Sequence, residues 1–218
     1  SFAFYEPETP EQAFNRIFGK SDDLQMAAEQ GVGYGPPPKE IRVPLKRAKE
    51  LENLQFKGKR KAAEYGEAQH LALTGGPPGA GKTTARKAMG VDEEKYVVAD
   101  ADSIKKDAGY EDQAAAFHEQ SSEINARVAE RAIREGYNLV YDSLLSNFKK
   151  ADKYIREALA RGGHVSIAFT NIDAHTSQAR SLARVLLGES KRVIPAEVSA
   201  KGYNRSLPTF IELWKRYK

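Results

Sequence analysis

A chain of 218 residues is long enough for one ordinary domain with an appendage and a core of its own. It contains no cysteine, which excludes disulfides and Cys-based zinc sites and suits a reducing compartment. No apolar run approaches the ~20 residues of a membrane span, no signal-peptide pattern is visible, and a net charge of +4 fits phosphate ligands while arguing little for nucleic acid.

In chain order, the first segment differs from the rest. Ser1 in place of a methionine leads us to expect a native start further upstream. Thr9-Pro10-Glu11-Gln12 reads as a helix start with a capping box, and a second short helix is expected over Ser21–Gln30. The stretch Gly31 to Pro38 is rich in glycine and proline and marks a linker. Residues 39–66 show helical spacing at Leu45, Ala48 and Leu51, with a basic cluster at Lys57, Lys59, Arg60 and Lys61 that is expected on a solvated face.

From His70 onward, short apolar runs alternate with longer helical segments. Strands are expected at Leu71–Leu73, Tyr96–Ala99, Asn138–Tyr141 and Val165–Phe169. Helices are expected over Lys82–Met89, about Gln113–Glu135 and Lys149–Arg161, and the chain from Ala174 to Lys218 reads as mostly helical with breaks at Pro195 and Pro208. This alternation predicts an α/β fold with a parallel sheet covered on both faces.

The first strand runs into Gly76-Pro77-Pro78-Gly79-Ala80-Gly81-Lys82-Thr83, followed by Thr84, which fits the G-x-x-x-x-G-K-[ST] phosphate-binding loop. Glycines let the backbone curl so that its N–H groups surround an anion, and the following helix points its positive end at the same place. Lys82 is expected on the outer phosphates of ATP (or GTP), and the Thr83 hydroxyl on Mg²⁺. In parallel sheets, ligands bind beyond the carboxyl ends of the strands. That position is held by Asp100 and Asp102 after the second strand and by Asp142 and Ser143 after the third. Phosphoryl transfer to a hydroxyl needs a carboxylate to take its proton, and Asp102 or Asp100 suits that role. Helix capping is the plainer use of either. Arg180, Arg184 and Arg192, beyond the last strand, are candidates to meet charge on the transferred group.

Five segments, in this order, resemble the zeta toxin family. They are Gly75 to Thr83; Asp100-Ala101-Asp102 with Lys105; His118-Glu119-Gln120-Ser121-Ser122; Gly136 to Leu144; and Arg192-Val193-Ile194-Pro195. The resemblance covers about residues 68–210. It implies a P-loop NTPase-type kinase fold; composition and the break from Gly31 to Pro38 add a mostly helical N-terminal extension, dividing the chain as extension and linker 1–38, basic helical segment 39–66 and kinase domain 67–218. The resemblance also implies an ATP- and Mg²⁺-dependent phosphotransferase acting on a hydroxyl of a nucleotide-type substrate, UDP-N-acetylglucosamine in known members. Such a protein works in the cytoplasm, of its own or a target cell, as a toxin held inactive by an antitoxin. By the same resemblance Asp102 matches the base, Arg184 (with Arg180 as rival) and Arg192 match the arginines at the γ-phosphate, and Asp142 matches a substrate contact. Asp100, Lys105, His118, Glu119 and Ser143 join the substrate pocket. Two departures point to a different acceptor: Ser143-Leu144 replaces Gly-Thr, and Ala126 stands where an ungapped alignment puts a substrate-binding glutamate. Rival readings are a kinase of another nucleotide, NAD or a nucleic-acid end, and a nucleotide-binding module without catalysis. The N-terminal segment is a candidate cis-acting inhibitor.

Overall fold

The computed structural model describes residues 39–188 and 196–218. The helices expected at Thr9 and Ser21, the linker over Gly31 to Pro38, and Arg192 lie outside these residues. Within them the order is α1 (Leu45–Leu54), a 3-10 turn (Ala62–Tyr65), β1 (His70–Gly75), α2 (Lys82–Ala88), β2 (Val97–Ala99), α3 (Ala101–Ala108), α4 (His118–Glu135), β3 (Leu139–Asp142), α5 (Phe148–Ala160), β4 (His164–Phe169), α6 (Ala174–Leu186) and α7 (Ala196–Tyr217).

The strands form one parallel sheet in the order β2-β3-β1-β4. Period-2 alternation explains why both faces are covered. Leu71, Leu73, Val97, Ala99, Leu139 and Tyr141 turn to a large core shared with α1, α4, α5 and Leu213 of α7. The intervening Ala72 and Val140 turn to a smaller one with Met89, Val91 and Tyr96 below α2. Register pairs Thr74 with Asp142 across β1 and β3, so both strands end together.

Local chemistry sets the helix ends. Gln69, buried beside β1, donates to the carbonyls of Ala132, Ile133 and Tyr137, adding to the bonds that the Tyr137 and Gly136 N–H groups make to the first two at the C-terminus of α4. Asp100 caps α3 by accepting from the Asp102 N–H at 2.9 Å, and Asn147 caps α5 by accepting from Lys150 N–H at 3.0 Å.

The structure corrects three expectations. Helix in the 39–66 segment is confined mainly to α1, because Pro44 delays its start and the chain before it is stapled to α4 through Gln120, which bonds both Val43 N–H and Val43 carbonyl. Ala48 and Leu51 of α1 belong to the main core. The helix expected from Gln113 begins at His118, since the preceding turns insert Ala114, Ala116 and Phe117 into the interior. Pro208 does not break α7. It and Asn204, whose carbonyl it leaves without a helical donor, are both exposed, so water supplies the missing bond.

Candidate active site

The loop between β1 and α2 sits at the carboxyl end of the central strand, and its path is enforced by neighbours. Gly76 has φ 132° and lies so close to Thr170 that a Cβ would fall 2.4 Å from that carbonyl oxygen. Helix α6 packs over the loop and takes up its carbonyls. The buried Ser177 hydroxyl donates to Pro78 O at 2.7 Å, and the Arg180 guanidinium donates to Gly79 O at 3.3 Å. Asp173 starts that helix, accepting from the Thr176 N–H and hydroxyl. With carbonyls engaged on the outside, the loop can turn its N–H groups inward.

Lys82 leaves the first turn of α2 and bends back, donating to Gly76 O at 3.3 Å, with its ammonium 3.8 Å from Asp142 Oδ1. Arg86 stands one turn further on. It donates to the Thr83 hydroxyl at 3.2 Å and lies 3.6 Å from Asp142 Oδ2 and 3.3 Å from Glu93. Lys82, Thr83, Arg86 and Asp142 thus form one polar cluster where β1 and β3 end side by side.

Across from it, Asp102 pairs with Lys105 at 2.8 Å, and the Lys105 ammonium also stands 3.4 Å from His118 Nδ1. Lys105 is buried while the Asp102 carboxylate is exposed, so a fixed cation orients a carboxylate that faces the opening. Asp100 lies between the two groups. Burial pushes its carboxyl above the ordinary range and nearby Asp142 adds to the shift, against the opposing bond from Asp102 N–H. Burial likewise raises Asp142, against the attraction of Lys82 and Arg86.

A cleft of about 700 Å³ joins these parts. Of the expected residues, Pro78 to Thr83, Asp100, Asp102, Lys105, His118, Asp142, Ser143 and Arg184 line it. Gly76 and Pro77, the first residues of the loop, are buried outside the cleft lining, and Thr84 is exposed outside it. Glu119 is also exposed outside it, because one step along a helix rotates a side chain by about 100°. The two rival arginines are separated: Arg184 reaches the cleft, and Arg180 holds the loop from behind. Leu144 lines the cleft, as does Asn125, the neighbour of Ala126.

Arg86, Asn125 and Lys150 also line the cleft without having been singled out in the sequence, as does Ser122, which appears there only as the end of the His118 segment. For Arg86 the signal is its i+4 spacing from Lys82, which puts both on one face of α2. For Ser122 and Asn125 it is their helical phase with His118. Lys150 carries no comparable signal beside Lys149.

The loop that carries Ser143 and Leu144 is held by an unusual residue. Leu145 adopts φ 55°, is buried at 2% exposure, and holds its Cβ where one added at Gly75 would come within 2.7 Å.

No helix among the described residues is long and apolar enough to cross a membrane. A family model described as Zeta toxin matches residues 55–217. No curated protein matches the chain. Among solved structures, one from the PezAT chromosomal toxin-antitoxin system of Streptococcus pneumoniae has a TM-score of 0.61 at 18% identity, over 80% of this chain and 75% of that one. The AvrRxo1-ORF1:AvrRxo1-ORF2 complex with sulphate ions gives 0.60 at 18% identity, over 100% of this chain and 66% of the other. The same pair of proteins with ATP gives 0.56 at 18% identity, over 99% and 66%. At such identities the likeness is one of fold.

Proposed function

The chain belongs to the zeta toxin family, and we propose that it is a phosphotransferase that moves the γ-phosphoryl group of ATP (or GTP) onto a hydroxyl of a nucleotide-type acceptor. The observation that carries the reading is the single cleft in which the β1–α2 loop with Lys82 faces the Asp102–Lys105 pair. UDP-N-acetylglucosamine is the first acceptor to test, on the strength of the family. Loss of the family's Gly-Thr at Ser143-Leu144 makes another nucleotide or NAD the next.

In this reading the β1–α2 loop binds the nucleotide phosphates through backbone N–H groups. Lys82 swings from the Gly76 carbonyl to the outer phosphates. Asp102, oriented by Lys105, takes the proton of the acceptor hydroxyl as its oxygen bonds to the γ-phosphorus. The bond from the γ-phosphorus to the bridging oxygen breaks and leaves the nucleoside diphosphate. Lys82, Arg184 and Arg192 meet the charge spread over the transferred group. Thr83, Asp100 and Asp142 offer the hydroxyl and carboxylate oxygens that suit Mg²⁺; burial raises both carboxyls, and the charge of Asp142 adds to the rise at Asp100. Bound there, Mg²⁺ would neutralise phosphate charge, and Arg86 would then give up the Thr83 hydroxyl.

The toxin role and an antitoxin partner belong to the same proposal, supported by the toxin-antitoxin system named for one structural neighbour. The test is Asp102→Asn. It should keep nucleotide affinity and lower turnover by about 10²-fold or more. A variant that turns over like wild type removes Asp102 as the base. Nucleotide binding without turnover in the wild type, over a broad acceptor panel, would favour a binding module instead.

A further inference from the structure

Most cations of the cleft are engaged within the protein. Lys82 and Arg86 share Asp142, and Lys105 holds Asp102. Lys150 differs. No carboxylate lies within ion-pair distance of its ammonium among the described residues, and Glu130, whose charge acts on it, is held by Lys153 at 2.7 Å. The ammonium stands instead 5.6 Å from the Tyr141 ring centre and 6.0 Å from that of Tyr154. The residue is fixed in the first turn of α5 by the bond to Asn147. Burial lowers its pKa from the ordinary lysine value, against the attraction of Glu130.

The surroundings offer hydroxyl donors beside the ammonium. Lys150, Ser143 and Ser146 line both the main cleft and an adjoining pocket of about 70 Å³. That is room for about two waters by liquid volume, the scale of one phosphate group. A second incomplete group belongs to a residue that lines the same cleft. Asn125 lines it, is only 5% exposed, and its Oδ1 has no hydrogen-bond partner. A buried amide oxygen of this kind is rare in a native protein unless something completes it.

We infer that Lys150 reads the phosphate-acceptor molecule: its ammonium, with the hydroxyls of Ser143 and Ser146, binds a phosphate group that this molecule already carries, and Asn125 accepts a hydrogen bond from one of its hydroxyls. Calling the ligand an acceptor rests on the phosphotransferase reading, but the anion site does not. A tetrahedral phosphate offers several oxygens to an ammonium and two hydroxyls that line one pocket, which a planar carboxylate matches less well.

The probe is inorganic pyrophosphate, titrated calorimetrically into the full chain with the β1–α2 loop saturated by Mg²⁺ and a non-hydrolysable ATP analogue. Wild type should bind it. Lys150→Met, which keeps an unbranched stem without the charge, should bind it about tenfold or more weakly, while Lys150→Arg retains binding. Asn125→Leu should leave pyrophosphate within about twofold, as befits a group that reads a hydroxyl. Thermal melts of each variant report folding, and Lys150→Gln replaces the methionine variant if that one is unfolded. The inference is overturned if the loaded wild type does not bind pyrophosphate, if Lys150→Met binds it as wild type does, or if malonate binds more tightly than pyrophosphate. Failure of the ATP analogue to bind would strike the nucleotide reading alone. Lys150→Met would then be compared with Lys82→Ala in the absence of analogue.

Discussion

Replacing Gly76 with alanine tests the account of the β1–α2 loop by its energetics. A Cβ there would sit 2.4 Å from the Thr170 carbonyl oxygen and 2.5 Å from its hydroxyl, about 1 Å inside ordinary contact. The Thr170 side cannot yield freely, because its N–H and hydroxyl both donate to Gly75 O, at 2.9 and 3.1 Å. The backbone angle of 132° is also one that only glycine adopts readily, at a cost of about 1–3 kcal/mol for other residues. Overpacking adds about 1–3 kcal/mol, for a total of about 2–6 kcal/mol. At this size, about 1 kcal/mol moves Tm by about 2–4 °C, so Gly76→Ala should lower Tm by roughly 5–20 °C. Gly81→Ala is the comparison, with φ 86° and open space around its Cβ, leaving only the left-handed cost of about 1–2 kcal/mol. Thermal melts followed by circular dichroism give the order. Equal Tm values, or a larger loss at Gly81, would refute the claim that Thr170 and the strand end hold the loop in place.

Other substitutions separate charge, packing and chemistry. Asp100→Asn keeps the α3 cap but removes a carboxyl whose folded pKa is raised, so its benefit is absent below the unfolded value, grows as pH rises from there, and is complete above the folded one. Its Tm should therefore exceed wild type at neutral pH and match it in acid, and equal Tm values at neutral pH would contradict the burial argument. Arg184→Ala should lower kcat by about 10²-fold with Tm unchanged, whereas Arg180→Ala should lower Tm, since only the second supports the Gly79 carbonyl. Steady-state kinetics beside melting curves would expose the reverse pattern. Asp152, held below the usual carboxylate range first by the Tyr217 hydroxyl and then by Arg216 and Arg156, ties α7 to α5. Asp152→Ala should cost about 1–3 kcal/mol above the unfolded carboxylate pKa, and the cost should shrink as pH falls through the lower native value. Urea unfolding at several pH values measures it.

The parts legible in the sequence are those whose signal is local. A buried parallel strand reads as an apolar run, so β1, β3 and β4 stood within a residue or two of their place. The loop motif and the acids that follow β2 and β3 were visible because strand ends gather at one edge of a parallel sheet. Helix residues were harder. Asn125 and Lys150 sit on amphipathic helices among many polar neighbours, and only packing reveals which polar face meets the cleft rather than solvent. Arg86 looked like any basic residue of a helix until Asp142 and Thr83 appeared beside it. Pro208 was misread as a break because its cost depends on whether water can reach the freed carbonyl, a property of exposure.

The most direct test of the central claim is ATP consumption by the pure protein with Mg²⁺, with and without UDP-N-acetylglucosamine, other nucleotides and NAD, using Lys82→Ala as the blank. The account predicts that one of these acceptors stimulates consumption and becomes phosphorylated on a hydroxyl, with no stimulation in the Lys82 variant. Consumption that stays at the blank's level with every acceptor, or that persists in Lys82→Ala, would contradict it.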